Sequence, residues 1–334
     1  MKRLLSTLLL AALVAPAFTA SAEPKRVVIC TVTTGFRHSS IAEAEKTLQK
    51  LADESKAFTI VEYVRQPDIQ VPKKPNKPKD LAKDADDKAK ERYAKDLVKY
   101  EAELAKWTPE VEQAAKAAQA RLDAGVKTAL AALDPKHLEA QKIDGVIFAN
   151  TTGDLPLPDL DGFVNWVKAG HAFIGMHSAS DTFHKFDGYK QLLQGQFQTH
   201  GKQVPADLVA ADTAHPANGG IGEKWDIKQE EIYEFKESSH DRAKLRALWY
   251  LRHHPQDPAA AGYAPVSWVR EDGKGRVFYT ALGHREDLWS DDPALPNRVN
   301  TPEISKQFQA HILGGIKWAL GLAEGSATPN PTVK

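Results

Sequence analysis

The sequence of 334 residues has almost no cysteine. Cys30 is the only one, so the chain can form neither an internal disulfide nor a cysteine metal cluster. Cys30 lies in the apolar run Val27 to Val32, where it is expected to be a small hydrophobic core residue.

The chain also lacks an excess of charge, because 44 lysines and arginines balance 44 aspartates and glutamates. Without a basic block there is no electrostatic footprint for nucleic acid or for an anionic membrane surface. Neither a G-x-G-x-x-G nor a Walker sequence occurs, so no nucleotide cofactor is predicted.

Long hydrophobic runs are missing except at the N-terminus. Leu4 to Val14 follows Lys2 and Arg3 and precedes the small residues 20–22, a pattern that predicts a signal peptide over residues 1–22. A membrane anchor is the alternative, but the run is short against the roughly 20 residues of a spanning helix. We therefore expect an exported protein that begins near Glu23, periplasmic or extracellular, with no membrane association after cleavage.

Apolar runs alternate with amphipathic segments in the pattern of an α/β domain over residues 23–323. Val27 to Val32 is followed by a helix capped by Ser39 or Ser40 and by a strand from Phe58 to Val64, which begins a parallel sheet. Further strands are predicted at 145–149, 172–176, 204–211, 227–235, 245–251, 266–270 and 276–282, and helices at 159–169 and 303–322.

A segment of different composition, residues 67–135, interrupts this pattern. It starts as a Pro/Lys-rich stretch, continues with large residues at heptad spacing up to Trp107, and restarts as a helix at Thr108 and Pro109. We predict an inserted antiparallel helical hairpin, either a solvated spacer or a surface for self-association or a partner. The polar tail, residues 324–334, is predicted to be disordered.

Three predicted strands end in a histidine: His38, His177 and His284. The carboxyl ends of parallel strands meet at one sheet edge, so a shared functional site is expected there. The stretch from Gly175 to Ala179 resembles a nucleophile elbow in which His177 replaces the nucleophile. Ser178 and Ser180 are weaker nucleophile candidates.

Several segments together resemble the ThuA-like (trehalose utilisation) family. They are TGFRHS at 34–39, GMHSASD at 175–181, FQTH at 197–200, HP at 215–216, EEIY at 230–233, PVSW at 265–268 and GRVFYTALGH at 275–284. The resemblance implies a class I glutamine amidotransferase-like fold with a flavodoxin-like sheet, and a role in sugar catabolism. It also places Glu231 at the family's characteristic glutamate.

The predicted site combines these residues. His38, His177, Glu231 and His284 suit Zn²⁺ or a similar divalent metal; the alternative is a hydrogen-bonded sugar pocket without metal. His177, Asp181 and Arg37 are the predicted catalytic residues. The predicted substrate-binding residues are Phe36, Thr151, His200 and Trp289.

The sequence therefore predicts an exported enzyme acting on a glycoside or keto-sugar, assisted by a divalent metal, through hydrolysis, elimination or isomerisation. The main alternative is a non-catalytic carbohydrate-binding protein. A partner-binding scaffold with a relict pocket is a further possibility. Glutaminase chemistry is disfavoured because the elbow has no cysteine.

Overall fold

The apolar runs of the sequence form the centre of a nine-stranded sheet in the computed structural model, which describes residues 23–255 and 264–332. The predicted signal peptide lies outside the described residues. In chain order the strands are β1 Lys25–Cys30, β2 Phe58–Val64, β3 Gly145–Ala149, β4 Ala172–Met176, β5 Phe197–His200, β6 Val204–Ala210, β7 Lys224–Glu230, β8 Tyr233–Phe235, β9 Arg246–Leu251, β10 Ala264–Asp272 and β11 Gly275–Thr280.

The strand order of the large sheet is β2-β1-β3-β4-β11-β10-β9-β6-β7. β2, β1, β3, β4 and β11 pair in parallel, and only β10 and β6 run against the other strands. Every residue of β3 and β4 is buried, because strands covered on both faces have to be apolar on both. The predicted α/β pattern with a mainly parallel sheet is thus confirmed.

Two groups of helices cover the sheet. The helices are α1 Ile41–Ser55, α2 Asp87–Leu104, α3 Pro109–Leu130, α4 Pro135–Ala140, α5 Leu160–Lys168, α6 Asp187–Leu193, α7 Glu286–Trp289 and α8 Pro302–Ala319. α1, α7 and α8 pack together, and α4, α5 and α6 form the second group. Among the described residues, no helix is both long and apolar enough to cross a membrane.

The strand predicted over 227–235 is broken in two. β7 belongs to the large sheet and stops at Glu230, whereas β8 pairs antiparallel with β5 in a separate two-stranded sheet. The break places Glu230 and Glu231 between the two sheets. Their side chains are almost fully buried there, although an alternating strand would have turned one of them to solvent.

The inserted segment contains both predicted helices, but it is not a tightly packed hairpin. None of the residues of α2, all within the described part of the chain, is buried. By contrast, Val126 and Leu130 of α3 reach the hydrophobic core. The insertion is therefore anchored by its second helix, while the first lies outside the core.

The tail, predicted to be disordered, instead lies against the sheet as far as it is described. Asn330 accepts a hydrogen bond from Ala247 N at 2.7 Å and donates to Ala247 O at 3.1 Å. Trp318 Nε1 also donates to Gly325 O at 3.0 Å. These bonds to backbone groups of β9 and to the indole of α8 hold the polar tail in place despite its composition.

α8 carries a histidine into the core. Gly315 lets this helix approach the sheet, because a Cβ there would lie 2.5 Å from Phe278 Cε1. His311 is fully buried, with Nδ1 against Ala217 O at 2.5 Å and Nε2 against Ser267 Oγ at 3.2 Å. Burial lowers the pKa of His311 from 6.5 to about 4, so the ring is neutral in the folded protein.

The lowered pKa of His311 predicts that the protein becomes less stable in acid. Between pH 6.5 and pH 4 the unfolded chain binds a proton at His311 and the folded chain does not, so stability falls as the pH falls through that window. The loss from this residue at pH 5 is about 2 kcal/mol. Denaturant unfolding of wild type and His311→Gln from pH 7.5 to pH 4.5 measures it, and the variant should show the shallower pH dependence. Equal slopes for the two proteins would contradict the assignment.

Candidate active site

Three neighbouring strands end in residues with a left-handed backbone. Asn150 follows β3 with φ 56°, His177 follows β4 with φ 48°, and Gly283 lies beyond β11 with φ 121°. Such conformations are strained for residues other than glycine, and they turn the chain sharply at the sheet edge. The elbow predicted around His177 is therefore present, with imidazole in the place of the nucleophile.

A hydrogen-bond network joins the ends of β3 and β11 to the loop after β1 and to α7. The carbonyl oxygen of Gly283 accepts from Ser40 Oγ at 3.2 Å, from Asn150 Nδ2 at 3.0 Å and from Trp289 Nε1 at 2.8 Å. Asn150 Nδ2 also donates to Ser40 Oγ at 2.8 Å. Ser40 was predicted to cap α1, but its side chain makes no cap bond and instead fixes the loop that carries His284.

The side chains of His38, His177, Glu231 and His284 converge at this edge. Their candidate ligand atoms all lie within 4.8 Å of one another. His38 Nε2 lies 3.2 Å from His177 Nε2, His177 Nε2 lies 3.7 Å from Glu231 Oε2, and His284 Nδ1 lies 3.1 Å from Glu231 Oε2. We call these four residues the His/Glu group.

Hydrogen bonds orient the rings of the group. His177 Nδ1 lies 2.8 Å from Ala281 O, so it carries the proton and leaves the lone pair on Nε2, which faces the Tyr233 hydroxyl at 2.7 Å. His38 Nδ1 lies 3.2 Å from Ser178 Oγ. Partners of this kind on the remote ring nitrogen are typical of metal-binding histidines.

Burial controls the protonation of the site. Burial, with a smaller contribution from the neighbouring His284, lowers the pKa of His38 to about 4 and takes that of His177 well below its ordinary value. Both rings are thus neutral at neutral pH. Burial also opposes protonation of His284, but the close contact of Nδ1 with Glu231, together with the negative charges of Glu230 and Glu231, raises its pKa.

The donor set fits a divalent transition metal. Ligand atoms about 2.0–2.1 Å from a tetrahedral zinc ion are about 3.3–3.4 Å apart, close to the three separations of 3.2, 3.7 and 3.1 Å given above. His284 Nδ1 is buried and lies in no aligned hydrogen bond among the described residues, which leaves it available as a ligand. Three imidazoles and one carboxylate also suit zinc in their chemistry.

Two of the other predicted site residues lie beside the group. Phe36 packs its ring edge-on against His38, with the centroids 4.9 Å apart, and remains 67% exposed. His200 places Nδ1 2.9 Å from Glu231 Oε1 and is half-exposed. Both can therefore contact a ligand bound at the His/Glu group.

The predicted substrate-binding roles of Thr151 and Trp289 are not supported by their contacts, because both side chains are fully buried and bonded within the protein. Thr151 Oγ1 bonds to Thr182 Oγ1 at 2.8 Å. Trp289 packs against Phe308 and holds Gly283 O. Each residue follows a site strand, but its side chain turns into the core and supports the loop instead of contacting ligand.

The predicted catalytic roles of Arg37 and Asp181 are not supported by their contacts. Arg37 Nη1 donates to Thr31 O at 3.1 Å and faces Gln66 Oε1 at 3.4 Å. Asp181 Oδ1 lies 2.6 Å from His184 Nε2, so it orients a different histidine.

His177 has only Nε2 free for chemistry, and the same atom cannot both bind a metal and accept a proton.

Tyr233 is not among the predicted site residues, although it lies in the segment that supplied Glu231. In extended chain, residues two apart point to the same side, and this spacing is the signal that could have found it. Burial raises the pKa of Tyr233 well above its ordinary value, so the phenol stays protonated and donates to His177. Glu230 was also missed; its Oε1 accepts from His284 N at 2.8 Å.

Comparison with known proteins agrees with the fold described above. The family model ThuA, described as trehalose utilisation, matches residues 26–319. A ThuA-like protein from Parabacteroides merdae is 16% identical with a TM-score of 0.54, covering 93% of this chain and 96% of its own. One from Bacteroides uniformis is 14% identical with a TM-score of 0.54, covering 96% and 100%. No curated protein matches the sequence.

At these identities the solved structures show a shared fold. They confirm the predicted class I glutamine amidotransferase-like architecture across almost the whole chain. The inserted segment falls within the region that the family model spans.

The strand-end network predicts that replacing two asparagines, both with a left-handed backbone, lowers the free energy of unfolding by unequal amounts. Asn150→Ala removes the bonds to Ser40 and Gly283 and leaves alanine at φ 56°, so a loss of about 2–4 kcal/mol in unfolding free energy is expected. Asn297→Ala is the matched control, since Asn297 has φ 58° but is exposed. Denaturant unfolding measures the loss in each variant, and equal losses would mean that the network contributes nothing to stability.

The His/Glu group predicts zinc-dependent stability. Zinc at about 100 times its Kd should stabilise the protein by about 2.7 kcal/mol, visible as a raised Tm that EDTA reverses. Glu231→Gln removes the carboxylate ligand and should abolish the shift. His137→Gln, which changes a half-exposed histidine paired with Glu62, should keep it. A wild-type Tm that does not respond to excess zinc would rule out the metal.

Proposed function

The chain belongs to the ThuA family, and from this membership we propose that it is an exported enzyme that processes a glycoside or keto-sugar at the His/Glu group with the help of a divalent metal. The family links the protein to carbohydrate. The single observation that supports catalysis with a metal is the convergence of three histidines and one glutamate, from distant parts of the chain, on one point.

A metal bound there would polarise a sugar carbonyl or lower the pKa of a water molecule. The chain's own residues supply the remaining functions. Phe36, exposed beside His38, offers an apolar face on which the C–H side of a sugar ring can pack. The Tyr233 hydroxyl, held in the protonated form, can donate a hydrogen bond to a ligand oxygen at the same point.

His200 is the residue we assign to proton transfer. Its Nδ1 faces Glu231 Oε1 at 2.9 Å and Gly201 O at 2.8 Å, two acceptors that place the proton on this nitrogen. Nε2 then carries the lone pair, on a ring that is half-exposed to solvent. His200 can therefore accept a proton from a ligand at the site, a function that His177 loses when its Nε2 binds metal.

With metal binding and proton transfer assigned to different residues, the site supports hydrolysis, elimination or isomerisation of a sugar. In each of these reactions a proton moves next to a polarised oxygen. It does not support glutaminase chemistry. The elbow position is occupied by His177, and Ser178 and Ser180 beside it are buried and hydrogen-bonded.

A second candidate function is sugar binding without catalysis. It is favoured by the hydrogen bonds that the rings already make, above all from Tyr233 to His177 Nε2, because these stabilise the cluster without a metal. In this case the site would recognise hydroxyl groups and leave the glycosidic bond intact.

Turnover of trehalose, other disaccharides and their 3-keto forms by zinc-loaded protein distinguishes the two functions. His200→Gln should lower kcat by about 10²–10⁴ while zinc still raises the Tm. Glu231→Gln should lose both turnover and the zinc response, and His137→Gln should match the wild type. Full turnover by His200→Gln would remove its assigned role, and sugar binding without product would favour the second candidate.

A further inference from the structure

A large cleft adjoins the His/Glu group on the side of the inserted segment. It measures about 1200 Å³ and is lined by residues 33–37 of the loop after β1, by residues 66–74 and by one face of α3. Phe36 belongs both to the cleft wall and to the site, since its ring also contacts His38. A ligand that leaves the His/Glu group across Phe36 enters this cleft.

We propose that this cleft is an extended binding subsite for an uncharged oligosaccharide, so that the insertion determines the length of sugar the protein accepts. The inference rests on the proposed function, because the reacting sugar unit is placed at the His/Glu group. Pockets for drug-sized ligands measure roughly 300–1,000 Å³, so the cleft alone has room for more than one sugar ring.

The charge of the cleft matches a neutral ligand. Its lining contains three cationic side chains and three carboxylates: Arg37, Lys73, Lys74, Asp68, Asp123 and Asp154. An equal number of each sign provides donors and acceptors for hydroxyl groups without a net field that would favour phosphate or carboxylate.

The amides of Gln66, Gln70 and Gln119 add further donors and acceptors. A ligand with many hydroxyl groups and no charge can satisfy such a surface.

The start of the wall formed by the Pro/Lys-rich segment is held in place by contacts on two sides. Gln66 Oε1 accepts from Thr33 Oγ1 at 3.0 Å, which ties the start of the segment to the loop after β1. Pro67 packs against α3 at Gly125, where a Cβ would overlap its ring. This anchored start of the wall loses little conformational entropy when a ligand binds.

The test compares two glutamines of α3, both exposed. Gln119→Trp fills the cleft that Gln119 lines, and Gln113→Trp adds the same bulk one and a half to two turns earlier, away from the lining residues. Calorimetry with the zinc-loaded protein measures Kd for glucose, maltotriose, cellotriose and laminaritriose. At least one trisaccharide should bind wild type and Gln113→Trp about tenfold more tightly than glucose does, and Gln119→Trp should lose that preference.

Hydrogen exchange locates the bound sugar, because a trisaccharide should protect residues 66–74 and glucose should not. If Gln119→Trp fails to fold, the double variant Gln119→Ala, Asp123→Ala removes polar groups without adding bulk and should weaken trisaccharide binding in the same way. The proposal is overturned if no trisaccharide binds better than glucose, if both tryptophan variants behave alike, or if residues 66–74 gain no protection.

The failure of this subsite is separable from failure of the proposed function. Turnover that depends on Glu231 and His200 but shows no preference for length would remove the subsite alone. Trisaccharide binding that requires the cleft, in a protein with no turnover, would remove the enzymatic function and keep the subsite.

Discussion

The carbonyl oxygen of Gly283 is the point on which the site depends. Donors from the loop after β1, from the end of β3 and from α7 converge on this one atom. They hold three strand ends in a fixed relation before any ligand arrives. The imidazoles and Glu231 can then be close together in a buried place, because the backbone that carries them is already locked. Without this anchor, the left-handed turn at Asn150 would have little to offset its strain.

Burial has two effects that work together in this arrangement. It keeps His38 and His177 neutral, which suits them as donors to a cation and costs little while they have hydrogen-bond partners. It also places the carboxylate of Glu231 away from solvent, in contact with the Nδ1 atoms of His284 and His200. A cationic metal would replace these contacts with stronger ones, whereas a metal-free pocket would retain them.

The sequence allowed the positions of the histidines to be predicted because parallel strands deliver their carboxyl ends to the same edge. Glu231 came only from family resemblance, since the break between β7 and β8 is set by pairing with β5, which is distant in the chain. The contacts of Trp289 and Thr151 could not be predicted because a position after a strand does not reveal which way a side chain turns. The ordered tail depends likewise on Asn330 finding backbone partners in β9, which composition does not show.

The inserted segment leaves the large sheet after β2, its edge strand, and returns at β3. Because α2 contributes nothing to the core, and because lengthening a loop costs little closure entropy, α2 and the chain that precedes it can diverge in length and composition while α3 keeps its core contacts. Under the proposed function, a change in this peripheral stretch alters the ligand preference while the His/Glu group is inherited unchanged.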